Sequence, residues 1–338
     1  MPEPTAEDLV LEVLEGCAAS ALEEAKQLGP ARVVNPTELS LRCSDLDAVR
    51  GLRRTVAASV AISVPARRPR ELRETSVQQR VTAVGERIAR QRPRVRCTGL
   101  RLAAAGAHTE DMTRLAETLG RSLNLPVDPE GDMVVRVRRV GETWQMLLRT
   151  TPRPLSTRAW RTVDYPGAVN ATIAATVLDL LEVGEEDSLL DMTCGSGTFL
   201  VEQLHAVPPA RAVGVDISAD AIDAARAHQR AARRRGRIDW IHADVLTAPL
   251  EGGFSRILTN PPWGMLHGDH EENEELHAAL LARAAELAAP QARMGVLTQE
   301  IRRMQSVLAR PGCPWRLLRE HRFFQKGHHP RLFLLALR

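Results

Sequence analysis

The sequence predicts an α/β protein with a doubly wound, mainly parallel sheet in its C-terminal half. From Asp179 onward, apolar runs of strand length alternate with helical patterns, which is typical of consecutive βαβ units. A Gly-x-Gly turn joins the first of these runs to a helix, as in nucleotide-binding sheets. The chain has 338 residues, enough for two or three domains, and its first half also carries helix and strand patterns.

Residues 1–65 are predicted to form a small α/β domain. Apolar residues at helical spacing, followed by a glycine, predict a helix over residues 6–29. Residues 33–43 have strand character around a turn, and residues 45–64 predict a second helix that leads into a β-branched strand. The Pro- and Arg-rich segment 65–71 is expected to be a linker.

Residues 66–152 repeat an α/β pattern. Helical periodicity covers residues 80–95 and 108–125, and the second of these helices carries acidic residues in its first turn. Residues 132–150 alternate as two strands joined near Gly141, which predicts a hairpin.

Basic residues are concentrated in the middle of the chain. The net charge is only +3, yet residues 66–165 hold 20 Arg and 11 acidic residues. This clustering favours a phosphate-binding surface, whereas a solvated surface is the simpler alternative. Arg136 and Arg138 are expected to share one face of a strand, because side chains alternate along it. The candidate RNA contacts are Arg136, Arg138, Arg153 and Arg158.

The composition argues against a membrane protein and against a disulfide-stabilised one. No apolar run approaches the roughly twenty residues of a membrane span, and the acidic N-terminus lacks a signal-peptide layout. The five cysteines are scattered without CxxC spacing, which argues against a zinc site. Histidines and acids at 267–277 are irregularly spaced, as in a loop followed by a solvated helix, rather than as metal ligands. We therefore expect a reduced cytoplasmic protein without a metal.

A ligand-binding turn is predicted after the first strand of the C-terminal half. An apolar run ends at Asp191 and is followed by Gly195 and Gly197, then by a helix. Such a turn brings the backbone close to a ligand at the carboxyl end of a sheet strand. The dinucleotide fingerprint needs a third glycine where this chain has Leu200, so a dinucleotide is disfavoured.

Polar residues also end the next three strands. Asp216 and Asp244 follow two of them, and Asn260 follows the third within "TNPPW". An N-cap or turn role is the simpler explanation for either acid alone. Four polar strand ends at one edge of a sheet instead predict a ligand site, with Asp216 on ribose hydroxyls and Asp244 on an adenine amine.

These segments together resemble a known family. "DMTCGSGT", "GVDIS", "HADV" and "TNPPW" resemble the cofactor loop, ribose acid, adenine acid and catalytic motif of S-adenosylmethionine-dependent amino-methyltransferases, over residues 158–338. The chain before them resembles the ferredoxin-like and THUMP region of THUMP-domain RNA methyltransferases. The nearest group is the tRNA guanine-N2 methyltransferases that act on the acceptor stem. The implied domains are ferredoxin-like (1–65), THUMP-like and RNA-binding (66–152), and a linker with a Rossmann-like methyltransferase domain that ends in an antiparallel hairpin (153–338).

The resemblance implies a set of cofactor contacts at the strand ends and in the segment that precedes them. The expected residues for S-adenosylmethionine are Gly167, Val169, Asn170, Asp191, Thr193, Gly195, Gly197, Thr198, Phe199, Asp216, Ile217, Asp244, Val245 and Asn260.

The catalytic residues implied are Asn260, Pro261, Pro262 and Trp263. An exocyclic base amine is a weak nucleophile, so the site must hold its N–H bonds and localise the lone pair. The side-chain oxygen of Asn260 and the carbonyl of Pro261 are suitable acceptors, and the prolines fix the backbone. Trp263 offers a face on which a flipped-out base stacks. A core tryptophan after a Pro-Pro turn is the structural alternative.

Several functional alternatives remain open. Cys194 could suggest covalent catalysis, but no cysteine follows the prolines, so we expect it to be a packing residue. Gly264, Met265 and Leu266 stand where related sites often carry a basic residue. Methylation of guanine N2 in tRNA is the first expectation; the others are 23S ribosomal RNA, adenine N6 in DNA, or a noncatalytic RNA-binding scaffold. A monomer or weak homodimer is expected.

Overall fold

The computed structural model describes residues 7–91, 96–261, 270–325 and 327–338, with only the backbone of Glu7 and of residues 270–273. The chain divides into two compact units. The N-terminal unit comprises Met1–Val13 and Ala21–Ser156, and the C-terminal unit comprises Leu14–Ser20 and Thr157–Arg338. In the part that is described, no helix is both long and apolar enough to cross a membrane.

The N-terminal unit is a seven-stranded sheet with helices. Its strands are β1 (Glu7–Glu12), β2 (Ala31–Asn35), β3 (Glu38–Cys43), β4 (Ala57–Val64), β5 (Leu100–Ala104), β6 (Met133–Val140) and β7 (Thr143–Arg149). Its helices are α1 (Ala18–Lys26), which begins in the other unit, α2 (Leu46–Val49), α3 (Thr75–Arg90) and α4 (Glu110–Leu123). The strand order is β2-β3-β1-β4-β7-β6-β5. The predicted hairpin is confirmed, because Val140 faces Thr143 at the turn between β6 and β7.

The helix predicted over residues 6–29 is wrong in its first half. Residues Glu7–Glu12 form β1, which pairs with both β3 and β4, and the helix starts only at Ala18. Leu9 and Leu11 are fully buried in this inner strand. A short apolar run fits a buried strand and a helix face equally well, so pairing partners decide between them. A short 3₁₀ helix, Pro69–Arg73, begins within the predicted linker of residues 65–71 and extends beyond it.

The two domains predicted before residue 152 contribute to one sheet. Strand β4 pairs with β7, from Ser59 opposite Arg149 to Val64 opposite Trp144. The compact units separate after Ser156, four residues beyond the predicted boundary at residue 152. The assignment of ferredoxin-like and THUMP-like domains within this sheet stays a prediction.

The C-terminal unit has the predicted Rossmann-like fold. Its strands are β8 (Ser188–Asp191), β9 (Arg211–Asp216), β10 (Asp239–His242), β11 (Phe254–Thr259), β12 (Ala288–Thr298), β13 (Trp315–Arg322) and β14 (Arg331–Leu337). Its helices are α5 (Ala171–Leu180), α6 (Thr198–Ala206), α7 (Ala219–Ala232), α8 (His270–Leu287) and α9 (Ile301–Ala309). The order is β10-β9-β8-β11-β12-β14-β13. Strands β8 to β12 are parallel, whereas β14 is antiparallel to β12 and β13, as a terminal hairpin requires.

Large apolar side chains of this sheet are buried against its helices. Phe254, Phe333 and Trp315 are fully buried, in a cluster with apolar side chains of α8 and α9. The indole nitrogen of Trp315 donates to the carbonyl of Leu281 in α8, at 2.8 Å. Strands held in this way present their carboxyl ends at one edge in a fixed arrangement, which is where ligands bind to open α/β sheets.

Candidate active site

Backbone hydrogen bonds tie together the carboxyl ends of four parallel strands. The amide of Met192 donates to the carbonyl of Leu258 and the amide of Cys194 to that of Val215, both at 2.9 Å. The amide of Ala243, just after β10, donates to the carbonyl of Asp216 at 3.0 Å. The polar residues predicted at these strand ends are therefore brought to one edge.

The loop between β8 and α6 requires its glycines. Gly195 and Gly197 have φ of +51° and +77°, which side chains rarely adopt, and Gly197 is the N-cap of α6. A Cβ on Gly197 would lie 2.5 Å from Cη2 of Trp240. A Cβ on Gly195 would meet nothing closer than Cε1 of Tyr165, at 3.9 Å. Gly197 thus permits close packing against Trp240, whereas Gly195 leaves open space beside the loop.

Asp216 connects the end of β9 to this loop. One carboxyl oxygen accepts the amide of Gly195 at 2.8 Å, and the other accepts the amide of Ser218 at 3.0 Å. An ionised carboxylate has about four acceptor positions, so two remain for a ligand's hydroxyl groups. The two amides therefore fix the orientation of the carboxylate and leave acceptor positions for hydrogen-bond donors of a ligand.

Asp191 is a buried carboxyl group without a hydrogen-bond partner of ordinary geometry. Asp191 is 0% exposed, and neither of its side-chain oxygens has a hydrogen-bond partner of ordinary geometry among the described residues. Burial raises the pKa of Asp191 to about 8; the charge of Asp216 adds to the rise, and the nearby backbone amide of Thr193 opposes it. A buried polar group left unpaired is costly, so this carboxyl group is suited to receive donors or positive charge from a ligand.

Asn260 has a similar unpaired acceptor directly after β11. Its side-chain oxygen is buried and has no hydrogen-bond partner in the described part of the chain, while Pro261 beside it is buried. Its backbone amide donates to the hydroxyl of Thr193 at 3.0 Å. The hydroxyls of Thr193 and Thr259 lie 2.9 Å apart. Thr193, predicted as a cofactor contact, thus points its hydroxyl at the end of β11.

The end of β10 is more open than the other strand ends. Asp244 is exposed, and its carboxylate accepts the amide of Leu246 at 2.9 Å. Val245 is buried at 6% exposure, whereas Ile217, just after β9, is 72% exposed. Ile217 is thus a large apolar side chain exposed next to the carboxyl end of β9.

The part of the chain that contains these strand ends matches a known protein family. Residues 158–331, just over half of the chain, match the family described as UPF0020: RMKL-like, methyltransferase domain. The chain belongs to this family. It is a methyltransferase, so the family does not support the alternative of a noncatalytic RNA-binding scaffold.

Individual proteins show the same likeness. The chain is 31% identical over 229 residues to the tRNA (guanine(6)-N2)-methyltransferase of Thermus thermophilus, covering 66% of each chain. It is 24% identical over 222 residues to the Methanocaldococcus jannaschii protein of the same name, covering 54% of this chain and 58% of that protein. The aligned portions thus span about 58–66% of these relatives' length. The crystal structure of TrmN from Thermus thermophilus superposes with a TM-score of 0.78 at 23% identity, covering 98% of this chain and 99% of that one, which shows a shared fold.

The segment before α5 lies against the glycine loop of the methyltransferase. Arg161 donates to the carbonyl of Val169 at 2.9 Å and to the hydroxyl of Thr198 at 2.8 Å, and burial lowers its pKa. Asn170 caps α5 by accepting the amide of Thr172 at 2.8 Å. Gly167 is exposed, with φ of +76° and open space around it. Of the predicted contacts here, Gly167 is the one whose surroundings are open.

His228 is a structural residue of the site that sequence patterns did not reveal. It is 0% exposed in α7, and its Nδ1 lies 2.9 Å from the carbonyl of Ser196 in the glycine loop. Its Nε2 accepts the amide of Val163 at 3.2 Å. The ring of Trp160 packs edge-on at 5.4 Å. A lone histidine in an alanine-rich helix carries no signal for such a contact.

Two further predicted residues and the loop cysteine are buried in the methyltransferase. Thr198 and Phe199 are each 3% exposed in the first turn of α6. Cys194 is 6% exposed, and burial raises the pKa of its thiol. A thiol held in its neutral form is a poor nucleophile, so Cys194 is a packing residue, as predicted.

One predicted RNA contact is wrong. Arg158 is 8% exposed and forms a buried ion pair with Glu202 of α6, at 2.8 Å, so it is not available to a phosphate. Arg136 pairs with Glu12 at 2.5 Å and Arg138 pairs with Glu38, although both arginines remain partly exposed. Arg153 is exposed.

Part of the predicted site lies outside the described residues. This applies to Pro262, Trp263 and the following segment 264–269.

His277 is buried and approaches the hydroxyl of Thr298 at 3.4 Å. Within the described ranges, no group of three or more His, Cys, Asp or Glu side chains is arranged to hold a metal.

Proposed function

We propose that the protein uses S-adenosylmethionine to methylate the N2 amine of a guanine in tRNA. The family membership supports methyl transfer, and the names of the two relatives support the substrate. The observation that carries the proposal is the buried side-chain oxygen of Asn260, which has no hydrogen-bond partner among the residues that the structure describes. It is an acceptor fixed at a strand end that a donor from a ligand would satisfy.

The described residues fit the cofactor. When bound, S-adenosylmethionine supplies an electrophilic methyl group on a sulfonium. The unpaired carboxyl group of Asp191 suits positively charged or N–H groups of the cofactor. Asp216 keeps acceptor positions for the ribose hydroxyls, and exposed Ile217 offers an apolar face to adenine, near Asp244. The other contacts proposed from the sequence are Gly167, Val169, Asn170, Gly195 and Val245.

Asn260 and Pro261 would act on the base. The side-chain oxygen of Asn260 and the carbonyl of Pro261 accept the two N–H bonds of the amine, which directs its lone pair out of the ring plane. These acceptors are fixed before the base arrives, so they cost little reorganisation during the reaction. Trp263 is proposed, from the sequence alone, to stack on the flipped base, a contact worth about 1–3 kcal/mol.

RNA binding is assigned to the basic N-terminal unit. We propose a THUMP-like role for residues 66–152 because of their arginine content, with Arg136, Arg138 and Arg153 as phosphate contacts. Structured RNA is bound largely through its backbone and shape, since the deep major groove of an A-form helix hides its base edges. The cytoplasm is the proposed compartment, and a monomer or weak homodimer the proposed state.

Incubating the purified protein with S-adenosylmethionine and different nucleic acids tests this function. Unmodified tRNA, 23S ribosomal RNA and duplex DNA would be digested to nucleosides and analysed by mass spectrometry. The proposal expects N2-methylguanosine in tRNA. Its formation in ribosomal RNA alone would reassign the substrate, and N6-methyladenine in DNA would overturn the proposal.

Cofactor affinity is expected to rise with pH up to about 8. The pKa of Asp191 in the free protein is about 8, so at pH 6 its carboxyl group is mostly protonated. Binding of a positively charged ligand favours the ionised form and must release a proton. Affinity should therefore increase by up to about tenfold per pH unit between pH 6 and 8.

Calorimetry in two buffers of different ionisation enthalpy measures this proton release. Asp191→Asn cannot ionise and should show weak, pH-independent binding. Equal affinity of the parent protein at pH 6 and pH 8 would exclude Asp191 as the group that meets the cofactor's positive charge.

RNA affinity of the full chain is expected to fall steeply with salt. Each phosphate neutralised by an arginine releases a counterion, so log Kd changes linearly with log salt. Arg153→Ala should weaken tRNA binding and reduce that slope by about one. Arg50→Ala, an exposed arginine outside the basic segment, is the matched control and should change neither. An affinity indifferent to salt would favour the solvated-surface alternative.

A further inference from the structure

Thr193 lies where two neighbouring central strands separate. Strands β8 and β11 pair as far as Asp191 opposite Leu258, and the amide of Met192 then donates to the carbonyl of Leu258 at 2.9 Å. One step further, the amide of Asn260 donates to the side-chain hydroxyl of Thr193 at 3.0 Å. A side chain of the glycine loop thus does what a backbone carbonyl does in a regular parallel ladder.

The same hydroxyl also contacts Thr259. The two hydroxyl oxygens are 2.9 Å apart, and Thr259 is 1% exposed. A hydroxyl group has one donor and two acceptor positions. Thr193 can therefore accept the amide of Asn260 and still share a hydrogen bond with Thr259. One side chain holds two consecutive residues at the end of β11.

We infer that Thr193 is a positioning residue for Asn260 and acts through it rather than as a cofactor contact. The inference rests on the proposed function, because it requires Asn260 to hold the substrate amine. The side-chain oxygen of Asn260 has no partner among the described residues, so its own hydrogen bonds do not fix it. Its position depends on the backbone of Asn260, which the hydroxyl of Thr193 anchors to the loop.

The hydrogen bond between Thr193 and Asn260 also connects the cofactor side of the site to its substrate side. The glycine loop that contains Thr193 carries the cofactor contacts proposed above, whereas Asn260 faces the amine. A hydrogen bond between them fixes the acceptor of the amine relative to the loop that holds the methyl donor. Misplacing reacting groups by about an ångström costs on the order of 100-fold in rate, so even a small relaxation at this link should be measurable.

Thr193→Val removes the hydroxyl and keeps the shape of the side chain. With saturating tRNA and S-adenosylmethionine, single-turnover methyl transfer should slow by about 10- to 50-fold. The Kd for S-adenosylmethionine, measured by calorimetry, should stay within about threefold of the parent, because the contacts proposed for the cofactor remain. Thr193→Ser restores the hydroxyl and should recover most of the rate.

Two controls separate positioning from stability. Thr176→Val removes another buried threonine hydroxyl, one that donates to the carbonyl of Thr172 within α5 at 2.9 Å, and it should leave the rate unchanged. Thr259→Val should slow methyl transfer in the same direction as Thr193→Val. The double variant should lose little more than either single variant, since residues that act as a unit are not additive.

These measurements test the positioning role of Thr193 separately from the proposed role of Asn260. A parent-like rate in Thr193→Val, while Asn260→Ala is impaired, overturns the positioning role alone. A loss of cofactor affinity that accounts for the loss of rate overturns it too and restores Thr193 as a cofactor contact. Parent-like methyl transfer by Asn260→Ala would refute the proposed function, and the inference with it.

Discussion

Replacing Asn260 by alanine is expected to lower kcat and kcat/KM alike, by about 10²–10³-fold. Its side-chain oxygen is a buried acceptor without a partner among the described residues, and Pro261 follows it in the motif. Such an acceptor contributes most as the amine loses its planar geometry, so its loss raises the barrier more than it weakens substrate binding. Single-turnover methyl transfer with saturating tRNA measures the effect.

Binding of the cofactor is the control for this variant. The ribose and adenine contacts that we propose come from β9 and β10, so Asn260→Ala should bind S-adenosylmethionine with nearly the parent affinity. Trp263→Ala should weaken capture of the base as well as the rate, and Trp263→Phe, which keeps an aromatic face, should be milder. Near-normal methyl transfer by Asn260→Ala would mean that this strand end is only a turn.

Asp216→Ala should weaken cofactor binding by about 1.5–3 kcal/mol, which corresponds to about 10- to 150-fold in Kd. The variant loses the charged acceptor of the ribose hydroxyls. It also leaves the amides of Gly195 and Ser218 without the partners they have in the structure. Both effects act on the cofactor site, and calorimetry with S-adenosylmethionine measures their sum.

A second variant and a matched control define the role of Asp216. Asp216→Asn keeps one acceptor oxygen but has no charge, so its affinity should lie between the parent and the alanine variant. Asp223→Ala removes an exposed acid of α7 that pairs with Arg226, and it should leave the affinity unchanged. If Asp216→Ala binds the cofactor as tightly as the parent, β9 does not carry the ribose contact.

The sheet that carries the site could be predicted from the sequence because its signals are local. Each of the four strands is an apolar run that ends at a polar residue, and parallel strands place those ends at one edge. The glycines of the loop were informative for the same reason, since the ability to adopt a positive φ without strain is a property of glycine itself. The N-terminal strand Glu7–Glu12 was missed because a short apolar run does not distinguish a buried strand from a helix.

Contacts between distant parts of the chain could not be predicted in this way. The hydroxyl pair of Thr193 and Thr259 joins residues 66 positions apart, and no periodicity marks it. Arg158 lies in a basic segment, yet it is buried against Glu202, 44 residues away. Charge composition indicates that a region is basic, but tertiary pairing decides which arginines remain accessible to RNA.

We propose that Asn260 holds a guanine amine of tRNA for methylation. The most direct test is mass spectrometry of tRNA nucleosides from cells that lack the gene, complemented with the parent or with Asn260→Ala. We expect N2-methylguanosine to decrease on deletion, to return with the parent, and to stay low with the variant at equal protein level. An unchanged N2-methylguanosine content on deletion would mean that the protein does not make this modification, and full restoration by Asn260→Ala would mean that Asn260 does not hold the amine.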